Sequence, residues 1–168
     1  MFDEVVLGID PGTAAVGLAV VKGGSVPEVA WAGTLRTGPG LAPELRLRRL
    51  HQGVVEAIRE HEPSVLVMER LLWGRNTESA MAVAQAAGVI MLAGATAGIA
   101  VRQYAPLEVK MAVTGVGNAA KDDVRRALGR LLRIEGVPDD PDAADAVAVA
   151  VCHIQQSRLR GLLKGAAR

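Results

Sequence analysis

The chain has 168 residues, half of them hydrophobic and 22% charged, with a mean hydropathy of +0.25. That length suits one core and excludes two full domains, and so much apolar matter excludes long-range disorder. The net charge is +1, but residues 1–69 carry six basic and nine acidic groups, residues 70–133 nine and four, and residues 134–168 four and five. A basic middle between acidic ends suits either an ordinary solvated helix face or a surface for a polyanion.

Residues 5–9 are a short apolar run stopped by the turn signal Asp10-Pro11-Gly12, and residues 16–21 are a second such run. Residues 28–36 alternate loosely through Val29, Trp31 and Leu35, so the chain opens with an antiparallel three-stranded meander that ends before Gly38 and Gly40. Over residues 42–61, Leu47, Leu50, Val54 and Ile58 line one face of an amphipathic helix, with Arg46, Arg48, Arg49 and Arg59 on its other faces. His51 and His61 read as solvent-facing on the same helix. Residues 64–68 form a buried strand running into Glu69-Arg70.

Residues 71–75 read as a loop, with Asn76 as N-cap of the next helix and Glu78 in its first turn. Residues 79–101 carry no charge and are long enough for a membrane span. They are rich in Ala and Gly, include Gln85 and Thr96, and are divided by Gly94 and Gly98, which points instead to a buried helix, hydrophobic all round, and a strand over 99–104. A helix over 121–133 turns Val124, Ala127, Leu128, Leu131 and Leu132 inward and Arg125, Arg126, Arg130 and Arg133 outward. The last helix starts with Asp140 as N-cap and Pro141 at its first position and runs to about Gln156. This order describes an α/β sandwich around a mixed sheet, with a domain over 1–157 and a basic, frayed tail over 158–168.

A lone cysteine, Cys152, excludes an internal disulfide and a thiolate zinc site, and the acidic opening Met1-Phe2-Asp3-Glu4 lacks the positive charge of an export signal. A cytoplasmic setting is expected. Aromatics are few, so Trp73 stands out in its polar loop.

Four carboxylates need an explanation. Asp10 and Glu69 each follow an apolar strand, while Asp142 and Asp145 share a helix face at i, i+3. Desolvating a carboxylate costs several kcal/mol unless a cation or metal holds it. Turn chemistry alone accounts for Asp10, and helix-dipole complementarity for Asp142, but their joint occurrence favours a metal site. Oxygen-only ligands suit Mg²⁺ or Mn²⁺, and two such ions can clamp the attacking and leaving oxygens of a phosphodiester displacement.

Gly8-Ile9-Asp10-Pro11-Gly12, Met68-Glu69-Arg70 and Asp142-Ala143-Ala144-Asp145-Ala146, continuing to His153, resemble in order and spacing the motifs of the RuvC family of Holliday junction endonucleases. The resemblance spans residues 4 to about 155, and its last motif is the most specific. It implies a ribonuclease-H-like fold, a five-stranded mixed β-sheet flanked by α-helices. It also implies a homodimer that resolves four-way DNA junctions by nicking two opposing strands symmetrically, leaving 5′-phosphate ends, in recombination and repair. By position, Asp10, Glu69, Asp142 and Asp145 would be catalytic metal ligands for two Mg²⁺ or Mn²⁺ ions. Lys110 and Lys121 would be catalytic lysines that contact DNA near the cut, and Arg75, Asn76 and Arg125 would join them in DNA binding. Association with the RuvA and RuvB branch-migration proteins is implied as well.

Two departures matter. Many relatives carry His where this chain has Asp142, which makes the ligand set here all-oxygen and favours Mg²⁺. Some carry a Phe that wedges between junction bases, and the aligned position is Leu72, with Trp73 beside it. Either can take the wedge role, or Trp73 packs against the protein or the dimer partner. Gly115-Val116-Gly117 is too sparse for a dinucleotide fingerprint and reads as a backbone approach to DNA or a plain turn. His153 lies off the acid face of its helix and reads as structural, as does Cys152.

The competing readings are another ribonuclease-H-like nuclease, such as a ribonuclease H or the RuvX-type RNA-processing group, and a junction-binding protein without catalysis. Four intact acids argue against the second. The ATP-binding actin and sugar-kinase group opens with a similar turn but needs more than twice this length.

Overall fold

The computed structural model describes residues 4–12, 14–38, 40–71 and 77–166. Their order is β1 (Val5–Asp10), β2 (Ala15–Lys22), β3 (Glu28–Arg36), α1 (Pro43–His61), β4 (Val65–Glu69), α2 (Thr77–Thr96), β5 (Ala100–Tyr104), α3 (Pro106–Thr114), α4 (Lys121–Arg130) and α5 (Pro141–Ala166). The sheet order is β3-β2-β1-β4-β5; β1, β2 and β3 pair antiparallel, and β4 lies parallel to both β1 and β5. The expected mixed sheet of five strands is what forms.

Strand alternation divides the core in two. Leu7, Ile9, Leu18, Leu66 and Met68 face α1 and α2, whereas Val6, Ala19, Val21, Val65 and Val67 face the helices on the other side, chiefly α5. The central helix α5 lies close because the surfaces are small: Ala143, Ala146 and Ala150 are buried on it, and Gly8 and Gly17 oppose it. A Cβ at Gly8 would strike the Ala146 carbonyl, and one at Gly17 the Asp142 carbonyl. This close approach brings the first turn of α5 down onto the strands that carry Asp10.

Four expectations are corrected. Helix α2 is not buried all round: Ala86, Ala87, Ile90 and Ala93 are covered, but Met81 is 60% and Leu92 58% exposed, since this helix packs on the sheet and α1 along one side only. Helix α4 stops at Arg130, leaving Leu131 outside the core; Arg133 adopts a left-handed φ of 54°, and the Ile134 N–H donates back to the Leu128 carbonyl, closing the helix end. No glycine marks that turn. Helix α5 runs past Gln156 to Ala166, because nothing after Gln156 forbids helix and Arg160 donates to Gln156 one turn back. His51 and His61 are half-buried, and His61 stacks on Trp31 with ring centroids 5.1 Å apart.

Helix α3 was not anticipated, since Leu107, Val109 and Met111 alternate as in a strand. Its signals are Pro106 at the start, Glu108 accepting the Ala105 N–H at 2.7 Å, and Gly115 at φ 73° closing it. His153 is structural as expected. It is buried between Tyr104, whose hydroxyl lies 2.7 Å from Nδ1, and Glu4, 3.3 Å from Nε2. Burial lowers its pKa, so the ring is neutral; Nε2–H donates to Glu4 and Nδ1 accepts from Tyr104. Burial likewise pushes the Cys152 thiol up to about 12, which leaves it unreactive.

Candidate active site

The β1–β4 register sets Gly8 against Val67 and Ile9 against Met68, so Asp10 and Glu69 finish adjacent parallel strands side by side. Both alternate onto the α5 face of the sheet. There α5 presents Asp142 and Asp145, one turn apart and half-buried. A recess of about 210 Å³ is lined by Asp10, Glu69, Asp145, Lys110 and Lys121 and walled by Val109 and Val124. A second cleft of about 260 Å³ adjoins it over Asp10 and Glu69, bounded by Arg70, Leu71 and Val83.

Three of the four expected acids therefore meet in one recess. Asp142 lies at its margin, above Gly17, and reaches Asp10 through its charge. Both expected lysines are present. The Lys121 ammonium donates to Asp145 Oδ2 at 2.5 Å, and this bond holds its pKa above the usual lysine range. Lys110 lies close enough to act electrostatically on Glu69.

Burial and charge crowding act together in the recess. Burial first, then Asp145, Glu69 and Asp142, push the Asp10 carboxyl up to about 7 against the opposing pull of Lys121. Burial and Asp145 also raise Glu69, against Lys121 and Lys110. Among the described residues no three His, Cys, Asp or Glu side chains stand in ready coordination, and the Asp145 carboxylate is paired with the Lys121 ammonium.

Arg125 is exposed and donates to the Asp139 carbonyl at 3.3 Å, so the structure sets it outside the recess. Leu72, Trp73, Arg75 and Asn76 lie outside the described residues. Two site residues were missed by sequence reasoning. Arg70 bounds the cleft and donates to Glu108 at 3.3 Å, tying the end of β4 to the helix that carries Lys110. The Pro106-x-Glu108 start of α3 was the available signal.

The chain matches a known protein family over most of its length. The family model for crossover junction endodeoxyribonuclease RuvC matches residues 6–153. The chain belongs to the RuvC family. A crossover junction endodeoxyribonuclease RuvC from Desulforamulus reducens is 41% identical over 159 residues, covering 94% of this chain and 97% of that one. The Thermus thermophilus RuvC structure superposes with a TM-score of 0.83 at 32% identity, covering 92% of this chain and 96% of the other. A structure of T. thermophilus RuvC in complex with Holliday junction substrate gives 0.82 at 29% identity over the same shares. The ribonuclease-H-like fold and the nuclease assignment follow from this membership, and the RNA-processing alternative is not favoured. Among the described residues no helix is long and apolar enough to cross a membrane.

Proposed function

We propose that this RuvC-family chain resolves four-way DNA junctions in the cytoplasm as a homodimer, nicking two opposing strands symmetrically and leaving 5′-phosphate ends. The observation that carries the reading is the recess itself: acids from two strand ends and one helix converge beside two lysines, and burial, with repulsion from the neighbouring acids, raises the Asp10 carboxyl to about 7. Buried oxygen donors that repel one another are a fitting cradle for a hard dication, which would relieve the crowding. Asp10, Glu69, Asp142 and Asp145 would hold one or two Mg²⁺ or Mn²⁺ ions. When bound, such ions supply Lewis acidity at the scissile phosphate and a water acidic enough to attack it.

The chain's own side chains do the rest. Lys121 is exposed along most of its length, so its ammonium can turn from Asp145 to a phosphate oxygen, and Lys110 supplies a second positive charge across the recess. Val109 and Val124 wall off water on the inner side. Arg125, Arg75 and Asn76 are assigned to the DNA arms beyond the recess. The uncovered side of α2, with Met81, Met91 and Leu92 exposed, is the surface assigned to the second copy. Docking of RuvA and RuvB is assigned on family grounds.

Leu72 and Trp73 follow Leu71, a residue of the cleft, and one of them is assigned the wedge role. The test is cleavage of a labelled four-way junction beside linear duplex and an RNA–DNA hybrid, with Mg²⁺, Mn²⁺ or EDTA. Paired nicks confined to the junction, lost in EDTA, are expected; cutting of the hybrid instead would move the function to ribonuclease chemistry. Replacing Leu72 and Trp73 together by Ala is expected to lower junction cutting at least about tenfold. Full cutting by that double variant would remove the wedge assignment.

A further inference from the structure

One row of residues crosses three strands beneath the start of α5. Asp10 pairs with Gly17 in the β1–β2 register, and Gly17 pairs with Thr34 in the β2–β3 register. Directly opposed residues point to the same face, so all three lie under α5. At the outer end of the row the Thr34 hydroxyl donates to Asp140 Oδ1 at 2.7 Å. In the middle the Asp142 carbonyl rests over Gly17, where a side chain would block it. At the inner end stands Asp10, which shares the recess with Asp145 and feels the charge of Asp142 at its margin.

Asp140 is used on every side. Its Oδ1 also accepts the backbone N–H groups of Asp142 at 3.1 Å and Ala143 at 3.2 Å, while its Oδ2 accepts from Arg36 at 2.5 Å. An ordinary N-cap bonds only its own helix. This one joins the first turn of α5 to the edge strand β3 through two side chains.

Strand spacing of about 4.8 Å places Thr34 roughly 10 Å from Asp10, and a rise of 1.5 Å per residue places Asp145 about 7.5 Å along the helix from Asp140. Both are distances of roughly one to two helical turns, so a contact at one end of the row bears on the acids at the other. We infer that Thr34 and Asp140 are positioning residues for metal binding: through the Thr34–Asp140–Arg36 contact they hold the first turn of α5 against the row, so that Asp142 and Asp145 face Asp10. This rests on the acid cluster being the metal site. Neither residue touches the recess.

The test measures Mn²⁺ binding to the metal-free chain by calorimetry, beside thermal unfolding and junction binding in EDTA. Thr34→Val keeps the shape and removes the hydroxyl. It is expected to weaken Mn²⁺ binding about tenfold, the usual cost of losing a contact that orients a ligand, with junction binding unchanged. Thr34→Ser is expected to restore binding. Asp140→Asn, which keeps an acceptor for Thr34 and the helix but loses the charge toward Arg36, is expected to fall between them. If Thr34→Val melts earlier yet binds Mn²⁺ like the parent chain, Thr34 only stabilises the fold and the inference is overturned. If Asp10→Asn binds Mn²⁺ as tightly as the parent, the acid cluster is not the metal site, and the inference falls with it.

Discussion

Asp10→Asn is expected to lower metal-dependent junction cutting by at least about a thousandfold while leaving junction binding in EDTA within about twofold. The basis is location: Asp10 ends the central strand β1 and is raised by burial and by the other acids in the recess. The same substitution makes a second prediction in the opposite sense for the metal-free chain. Asp10 is raised from 3.8 to about 7, so the folded state holds its proton more tightly than the unfolded state does. Stability from this group is therefore fully present below about pH 4 and is lost as pH rises through 7. Asn carries no charge to repel, and at pH 8 it should stabilise the metal-free chain by about 1–2 kcal/mol, discounted from the full shift for partial exposure. Glu69 is raised too, which adds a slope of the same sign. Melting at pH 5 and pH 8 reads this; equal stabilisation at both would mean Asp10 is not crowded. Cutting at the parent rate would remove Asp10 from the chemistry.

Lys121→Ala is expected to lower turnover about a hundredfold, the typical cost of removing one charge-stabilising donor. It should also reduce the slope of log affinity against log salt by about 0.9, one phosphate contact's worth. In the free protein the ammonium rests on Asp145 at 2.5 Å with most of its side chain exposed, so its partner can be exchanged at little cost. An unchanged salt slope, read from junction binding at several salt concentrations, would place Lys121 away from phosphate and leave it as a counter-charge for Asp145 alone.

Much of this site was legible in the residues. A carboxylate after an apolar strand, twice, and an i, i+3 pair after an N-cap and proline are local patterns, and strand and helix periods report them faithfully. The β3 boundaries and the Asp140 cap could be read for the same reason. What stayed hidden depended on partners far along the chain. Helix α3 alternates like a strand through Leu107, Val109 and Met111, and its start and stop signals are joined by the covering of Val109 and Val113 on the α5 side of the core. The exit from α4 uses a non-glycine left-handed residue, Arg133, which carries no sequence signal. The exposed side of α2 has the composition of a buried helix, and composition does not report which neighbours exist.

The sequence by itself determined the family, the five strands, every helix but α3 and the identity of the acids, because these rest on residue type and short-range period. Only the tertiary structure decided that Asp145 is held by Lys121, that Asp142 stands at the margin over Gly17, and that Thr34 on an edge strand reaches the cap of α5. Those relations depend on how closely a helix of small residues can settle onto a sheet with glycines beneath it, and that distance is set by packing between segments remote in sequence.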